Sequence, residues 1–270
     1  MMKYTLCFFL LSWHFLSAFS QDAHFSQHHH SRLTTNPAFT GSDSTLVLAF
    51  NYRNQWPKIS PYHTFNFFAD KYIRILRSGI GLNYVNDNMM DGAYKKTRLE
   101  INFAPHFEVF KHKLVIQPGF QFAYQRNRLD WSKLTFGDMI DERRGFVYST
   151  NDVPGQSTRS LIDFSAGILL YTDHYFGGIA AHHLTQPDEG LIGPSKLPLK
   201  LTIHGGANLW MKTDSTKKFI LSPTILYMQQ QDFSMLLPGI TAKYKKVSLG
   251  ISYRSEDAFI ATLAFQSRFF

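Results

Sequence analysis

Leu114-Val115-Ile116-Gln117-Pro118-Gly119-Phe120-Gln121-Phe122-Ala123-Tyr124-Gln125 decides the fold of this 270-residue chain. A strand sends successive side chains to opposite faces. Leu114, Ile116, Pro118, Phe120, Phe122 and Tyr124 therefore form one greasy face, opposite the small or polar Val115, Gln117, Gly119, Gln121, Ala123 and Gln125. A soluble sandwich strand can look like this once. Where the pattern recurs down a whole chain, with large aromatics on the greasy side, the solvent on that side is lipid.

It does recur. Alternating segments lie near 46–53, 63–70, 80–84, 98–103, 162–170, 199–212, 247–254 and 259–266, with less regular ones near 175–184, 219–228 and 233–244. The count is about twelve strands, most near the roughly 9–11 residues that a tilted strand needs to cross a bilayer. The expected fold is all-β, a transmembrane antiparallel up-and-down β-barrel. The bulk numbers agree: 44% of residues are hydrophobic and 16% aromatic, yet the mean hydropathy is only −0.19. A bundle of membrane helices is excluded, whereas a barrel needs only every second residue to be apolar.

Residues 1–20 read as an export signal, with Lys3, the apolar run Leu6 to Phe19, and Ala18-Phe19-Ser20 before Gln21. Cys7, the only cysteine, lies in that signal, so the mature chain has neither a disulfide framework nor a thiol nucleophile. Residues 21–45 form a polar, His-rich periplasmic lead, and 46–270 the outer-membrane barrel. The formal charge of +8 loses one unit with Lys3 and is scattered among turns and polar faces. That distribution suits anionic headgroups or acidic protein partners, and no nucleic-acid partner is expected. With a periplasmic N-terminus, inner turns fall at 70–78, 108–113, 172–174, 213–218 and around Lys245. The long outer loops are 127–158 and 185–198, and an even strand number returns the C-terminus to the periplasm.

Few residues invite chemistry. His24, His28, His29 and His30 could bind a metal, but consecutive histidines in a lead have no fixed geometry, and no cofactor or metal is expected. His182 and His183 are placed on opposite faces of one strand. A lipid hydrolase would need a serine–histidine pair, for which His204 with Ser165 or Ser252 is the nearest candidate. No G-x-S-x-G, phosphate loop or H-E-x-x-H occurs. The polar face gathers Arg53, Arg98, Glu100, Asp163, Lys200, His204 and Arg254; these mixed signs fit a water-filled or ion-paired lumen better than a charge-selective pore. The segment Leu129 to Asp141, with Trp131, Phe136 and Ile140 beside three aspartates, is too apolar for a tether and is expected to fold onto the rim or dock a partner. Basic residues in the inner turns (Lys71, Arg74, Arg77, Lys111, Lys113, Lys217, Lys218, Lys245 and Lys246) fit either a periplasmic partner or nearby headgroups.

Several words resemble the PorP/SprF family of the type IX secretion and gliding machinery of Bacteroidetes. In family order they are Gln21-Asp22-x-His24-Phe25-Ser26-Gln27, Asn36-Pro37-Ala38-Phe39-Thr40-Gly41, Asn51-Tyr52-Arg53-Asn54-Gln55-Trp56-Pro57, Leu129 to Asp141, Tyr171-Thr172-Asp173, and His182-His183-Leu184-Thr185-Gln186-Pro187. The resemblance implies a non-enzymatic outer-membrane barrel that binds the periplasmic lipoprotein-linked ring, or assists export or surface retention of a large adhesin through its C-terminal sorting domain. Candidate partner-binding or family-motif residues are Asn51, Tyr52, Arg53, Asn54, Gln55, Trp56, Asp130, Trp131, Lys133, Phe136, Gly137, Asp138, Asp141, His182, His183, Gln186 and Pro187. The alternatives are a diffusion pore or small-solute transporter and, more weakly, a lipid hydrolase. The family usually has about fourteen strands, one hairpin more than this chain. It is either a twelve-stranded variant or lacks the closing pair, and the aromatic Phe269-Phe270 end favours a genuine terminus.

Overall fold

The computed structural model describes residues 22, 25, 27, 30–58, 62–110, 113–151, 155–214 and 217–266. The first strands are β1 (Val47–Gln55), β2 (Tyr62–Ile73), β3 (Ser78–Met89), β4 (Tyr94–Pro105), β5 (Phe107–Val109) and β6 (Leu114–Leu129). A two-residue pair, β7 (Ile140–Asp141) with β8 (Gly145–Phe146), forms its own ribbon within the long loop. The remainder are β9 (Thr158–Tyr171), β10 (Tyr175–His182), β11 (Lys200–Ala207), β12 (Leu209–Asp214), β13 (Lys217–Gln230), β14 (Phe233–Tyr244), β15 (Val247–Arg254) and β16 (Ala258–Phe265).

All except β7 and β8 belong to one 14-stranded antiparallel sheet. Its path, β1-β2-β3-β4-β6-β9-β10-β11-β13-β14-β15-β16, has the expected twelve strands, because β5 prolongs β4 along β6 and β12 prolongs β11 along β13. Each break faces a proline. Pro118 lies between the stretches of β6 that pair with β4 and with β5, and Pro223 lies opposite the gap between β11 and β12. Proline has no N–H to give a ladder, so a long strand interrupted there is what the sequence dictates.

The sheet sorts its side chains as the alternation requires. Phe120, Phe122 and Tyr124 are exposed on the outer face, while Gln117, Gln121 and Gln125 are buried on the inner one. Inner amides link neighbouring strands: Asn51 Nδ2 donates to Asn66 Oδ1 (2.9 Å), Asn83 Nδ2 to Glu100 Oε2 (2.6 Å), and Gln121 Nε2 to the same Glu100 oxygen (2.8 Å). Segments 219–228 and 233–244 look irregular because their inner face is apolar too. Leu226, Met228, Met235 and Leu237 cluster there with Phe233 and Ile260.

One end of the sheet carries the tight connections at 74–77, 110–113, 172–174 and 245–246; the other carries 130–157 and 183–199. Several boundaries move. β2 runs on to Ile73, so Lys71 is a strand residue rather than a turn residue; β6 reaches Leu129, so the long loop begins later than 127; and β12 runs to Asp214 while β13 begins at Lys217, so Lys217 and Lys218 are strand residues as well. Among the described residues, β1 and β16 each have one strand neighbour, and the sheet is open along that line. It is nevertheless curled. Asp22 and the segment 32–41 touch inner side chains from β2 round to β13, and Arg53 of β1 lies within electrostatic reach of Arg254 of β15. The arrangement is compatible with a barrel.

Candidate functional site

Residues 30–44 lie along the inner face of the curled sheet. Their fold is local in origin. Helix α1 (Arg32–Thr35) is followed by a 3₁₀ turn at Pro37–Phe39, where the Asn36 side chain accepts a hydrogen bond from Ala38 N at 2.8 Å. Proline at the first turn position and asparagine just before it are suited to starting such a turn. Leu33 and Ala38 are completely buried.

The wall is cut to receive this segment. A Cβ on Gly119 would stand 2.2 Å from Ala38 N, and one on Gly79 would stand 1.9 Å from Thr40 O. Glycine is the residue that lets another backbone approach a strand so closely. Polar groups then hold the segment. Asn36 Nδ2 faces Ile168 O and Ile179 O, both at 3.2 Å, and His204 Nε2 at 3.0 Å. Thr35 O accepts from Thr202 Oγ1 at 2.8 Å, and Gln117 Nε2 donates to Thr40 O at 2.7 Å. Arg32 grips both oxygens of Asp70 at 3.0 Å, and Gly41 N donates to the same carboxylate.

At the long-loop end a buried charge cluster closes over Asp22. Its carboxylate faces His183 Nε2 at 2.6 Å, Lys200 Nζ at 3.1 Å and Lys96 Nζ at 3.4 Å. His183 Nδ1 faces Asp163 Oδ2 at 2.6 Å, and that oxygen also meets Arg98 at 3.1 Å. Arg98 pairs with Glu100 at 2.6 Å, and Lys96 with Glu189 at 3.2 Å. Both ring nitrogens of His183 therefore face carboxylate oxygens, one from the lead and one from β9. The lead thus runs from the long-loop end, at Asp22, to the short-turn end, where Gly41 meets Gly79.

The sequence-selected residues occupy the long-loop end in three groups. From β1, Asn51, Arg53 and Gln55 are on the inner face, with Asn51 Nδ2 also donating to His30 O at 3.1 Å; Tyr52 and Asn54 are outside, and the exposed Trp56 ends the strand at φ +50°. In the long loop, Trp131 stacks with Phe136 and Lys133 Nζ donates to Asp91 O at 2.8 Å. Each aspartate there organises backbone: Asp130 caps the turn at Ser132, Asp138 accepts from Asn151 N, and Asp141 accepts from the backbone of Arg143 and Arg144, while Gly137 opens a 3₁₀ turn. The Arg144 side chain, then the Tyr148 hydroxyl and these amides, pull the Asp141 carboxyl down to about 2. Asp188, held by Ser195 and Gly190 amides, is also lowered.

The third group corrects an expectation. His182 and His183 do not point to opposite faces. β10 ends at His182, and His183 takes φ +61°, which breaks the alternation and turns its ring inward as well. His182 Nε2 reaches Thr35 O at 3.1 Å while His183 reaches Asp22. Gln186 closes the turn onto His183 O, and Pro187 O accepts from Leu197 N. His204, the hydrolase candidate, stacks on Phe39 at 4.8 Å and faces Asn36, so the lead covers it. His24, His28, His29 and Lys111 lie outside the described residues.

Sequence reading missed Lys96 and Glu189. Lys96 was within reach, since stepping back two from Arg98 and Glu100 keeps the inward phase. Glu189 lies in a loop with no period to betray it.

No curated protein matches this sequence. The family model for the type IX secretion system membrane protein PorP/SprF, however, matches residues 17–270. Its motif words also meet in space: Asp22 of the first is paired with His183 of the last, and the Asn36-to-Gly41 word is seated on the glycine wall. The chain belongs to the PorP/SprF family of type IX secretion system membrane proteins.

Proposed function

We propose that this protein is a non-enzymatic integral outer-membrane component of type IX secretion and gliding. In this reading it binds secretion-ring subunits, or assists export or surface attachment of a specific adhesin through that adhesin's C-terminal sorting domain. The short turns face the periplasm and the long loops the exterior, after removal of residues 1–20; in this orientation Asp22 lies at the exterior end of the lumen, so the lead is a lumenal segment rather than the periplasmic one expected from the sequence. The observation that carries the reading is the seated lead. A lumen occupied along its length by the chain's own buried residues suits a scaffold that presents its rims rather than a conduit. Its partner-binding residues are those gathered at the long-loop end, together with the basic short turns. Affinity capture from envelopes in mild detergent tests this: ring subunits or one adhesin are expected with the protein, and their absence would overturn the assignment.

A pore is the second reading, favoured by a cavity of about 280 Å³ beside the lead, lined by Ser222, Thr224, Thr241, Ser248, Ser252 and Thr262. Single-channel recording separates the two. The scaffold gives no steady current, and deletion of residues 22–44 gives one.

A further inference from the structure

The Asp22 slot is built almost entirely by other parts of the chain. Lys96 comes from β4, Lys200 from β11, and His183 from the turn after β10. Two of the three are also held by groups outside the lead: Lys96 by Glu189, and His183 by Asp163, which is itself held by Arg98 and by Thr185 Oγ1 at 3.0 Å, while Lys200 Nζ faces Asp22 at 3.1 Å. Both lysines and the histidine are at least nine-tenths buried. Asp22 alone of the four comes from the lead, where its N–H donates to Gln230 Oε1 at 3.2 Å, His30 O accepts from Asn51, and the densest seating lies at 32–41.

Charge fixes what the slot takes. Lys96, Arg98, Lys200, His183 and the nearby Arg53 face Asp22, Glu100, Asp163, Glu189 and Asp87. Removing Asp22 leaves the buried Lys200 ammonium without the carboxylate it faces at 3.1 Å, which is costly in a low-dielectric interior. One negative charge replaces what is lost, and a phosphate dianion overshoots it. Two ammonium groups and a ring N–H around one site suit the two oxygens of a carboxylate. Beside the slot lies a space of about 40 Å³, lined in part by Phe25, Asp87 and Thr34. That is room for about one water, so the carboxylate can turn without displacing side chains.

We propose that Lys96, Lys200 and His183 form a carboxylate-binding site. Asp22 fills it in cis, and the carboxylate of another polypeptide segment entering from the long-loop end can fill it in exchange. The lead is then a tethered competitor whose outer end is released when the slot is taken.

Acetate tests the site in the full-length protein in detergent micelles. Asp22→Gly is expected to lower Tm. Sodium acetate should raise the variant's Tm saturably, against sodium chloride at matched ionic strength, and bind it at least tenfold more tightly than wild type. Inorganic phosphate should do less, and Lys200→Met added to Asp22→Gly should remove the acetate response. If Asp22→Gly does not fold, Asp22→Ser serves with the same outcomes. An acetate response equal in wild type and variant, absent from the variant, or unchanged by Lys200→Met would overturn the proposal.

Discussion

Replacing Gly119 by valine should unseat the lead without touching the lipid face. The built Cβ lies 2.2 Å from Ala38 N, 2.4 Å from Ala38 Cα and 2.6 Å from Pro37 C, all backbone atoms of a segment pinned on both sides. Ordinary non-bonded separations are about 3.5–4.0 Å, so the lead must retreat by about 1.3 Å or more. That movement stretches the 2.7 Å bond from Gln117 Nε2 to Thr40 O beyond hydrogen-bonding range. Overpacking a tight site costs about 1–3 kcal/mol, and a buried polar group left unsatisfied costs about 1–3 kcal/mol more. A combined loss of about 2–6 kcal/mol lowers the seating equilibrium by between about 30-fold and about 25,000-fold. Ser31→Cys, placed in a Cys7→Ser background, is a near-isosteric reporter at a position with 1% exposure. Its maleimide labelling in lipid vesicles should accelerate by the same factor in the Gly119→Val protein, while heat-modifiable migration on gels shows that the barrel persists. Labelling that stays within twofold of the parent in a folded barrel would refute the close seating of residues 36–41 on β6.

Asn36→Ala removes the amide facing Ile168 O, Ile179 O and His204, and should destabilise the protein to urea by about 1–3 kcal/mol, with the mutant's lead more readily cleaved by protease. Phe122→Arg puts a charge near the middle of the greasy face and should cost about 2–4 kcal/mol in vesicles, a larger loss than the same change at a strand end. The Asp141 carboxyl is lowered to about 2 in the fold, so its stabilisation of the long loop is complete above the ordinary carboxylate value and disappears as pH falls toward about 2. The protection factors of the Arg143 and Arg144 amides should therefore fall progressively toward unity as pH drops across that window, and Asp141→Asn should flatten the dependence.

The outer wall was legible because lipid acts on every second residue. Phe120, Phe122 and Tyr124 announce their face whatever happens inside. The inner wall was legible only where it stayed polar. At Leu226, Met228, Met235 and Leu237 both faces are apolar, period two disappears, and the strands there read as irregular. The site was harder still. Asp22 and His183 are 161 positions apart, and their meeting depends on a strand ending at His182 and a single positive φ at the next residue. Alternation carried one residue too far puts His183 on the wrong face. The glycines of the wall gave no signal either, since Gly119 in a strand looks like any small inward residue until the Ala38 backbone is set against it.

The position of the lead also sets the order of events during assembly. Its contacts join partners 77, 132 and 167 residues apart, from Thr40 to Gln117, Asn36 to Ile168, and Thr35 to Thr202. Such pairings close large loops and are slow to find. They also enclose the first-made part of the chain within strands made later. The sheet wraps round the lead most directly while the line between β1 and β16 is still apart. The N-terminal segment therefore acts as a mandrel that guides the winding of the wall, and variants that loosen it should assemble more slowly while still reaching a finished barrel.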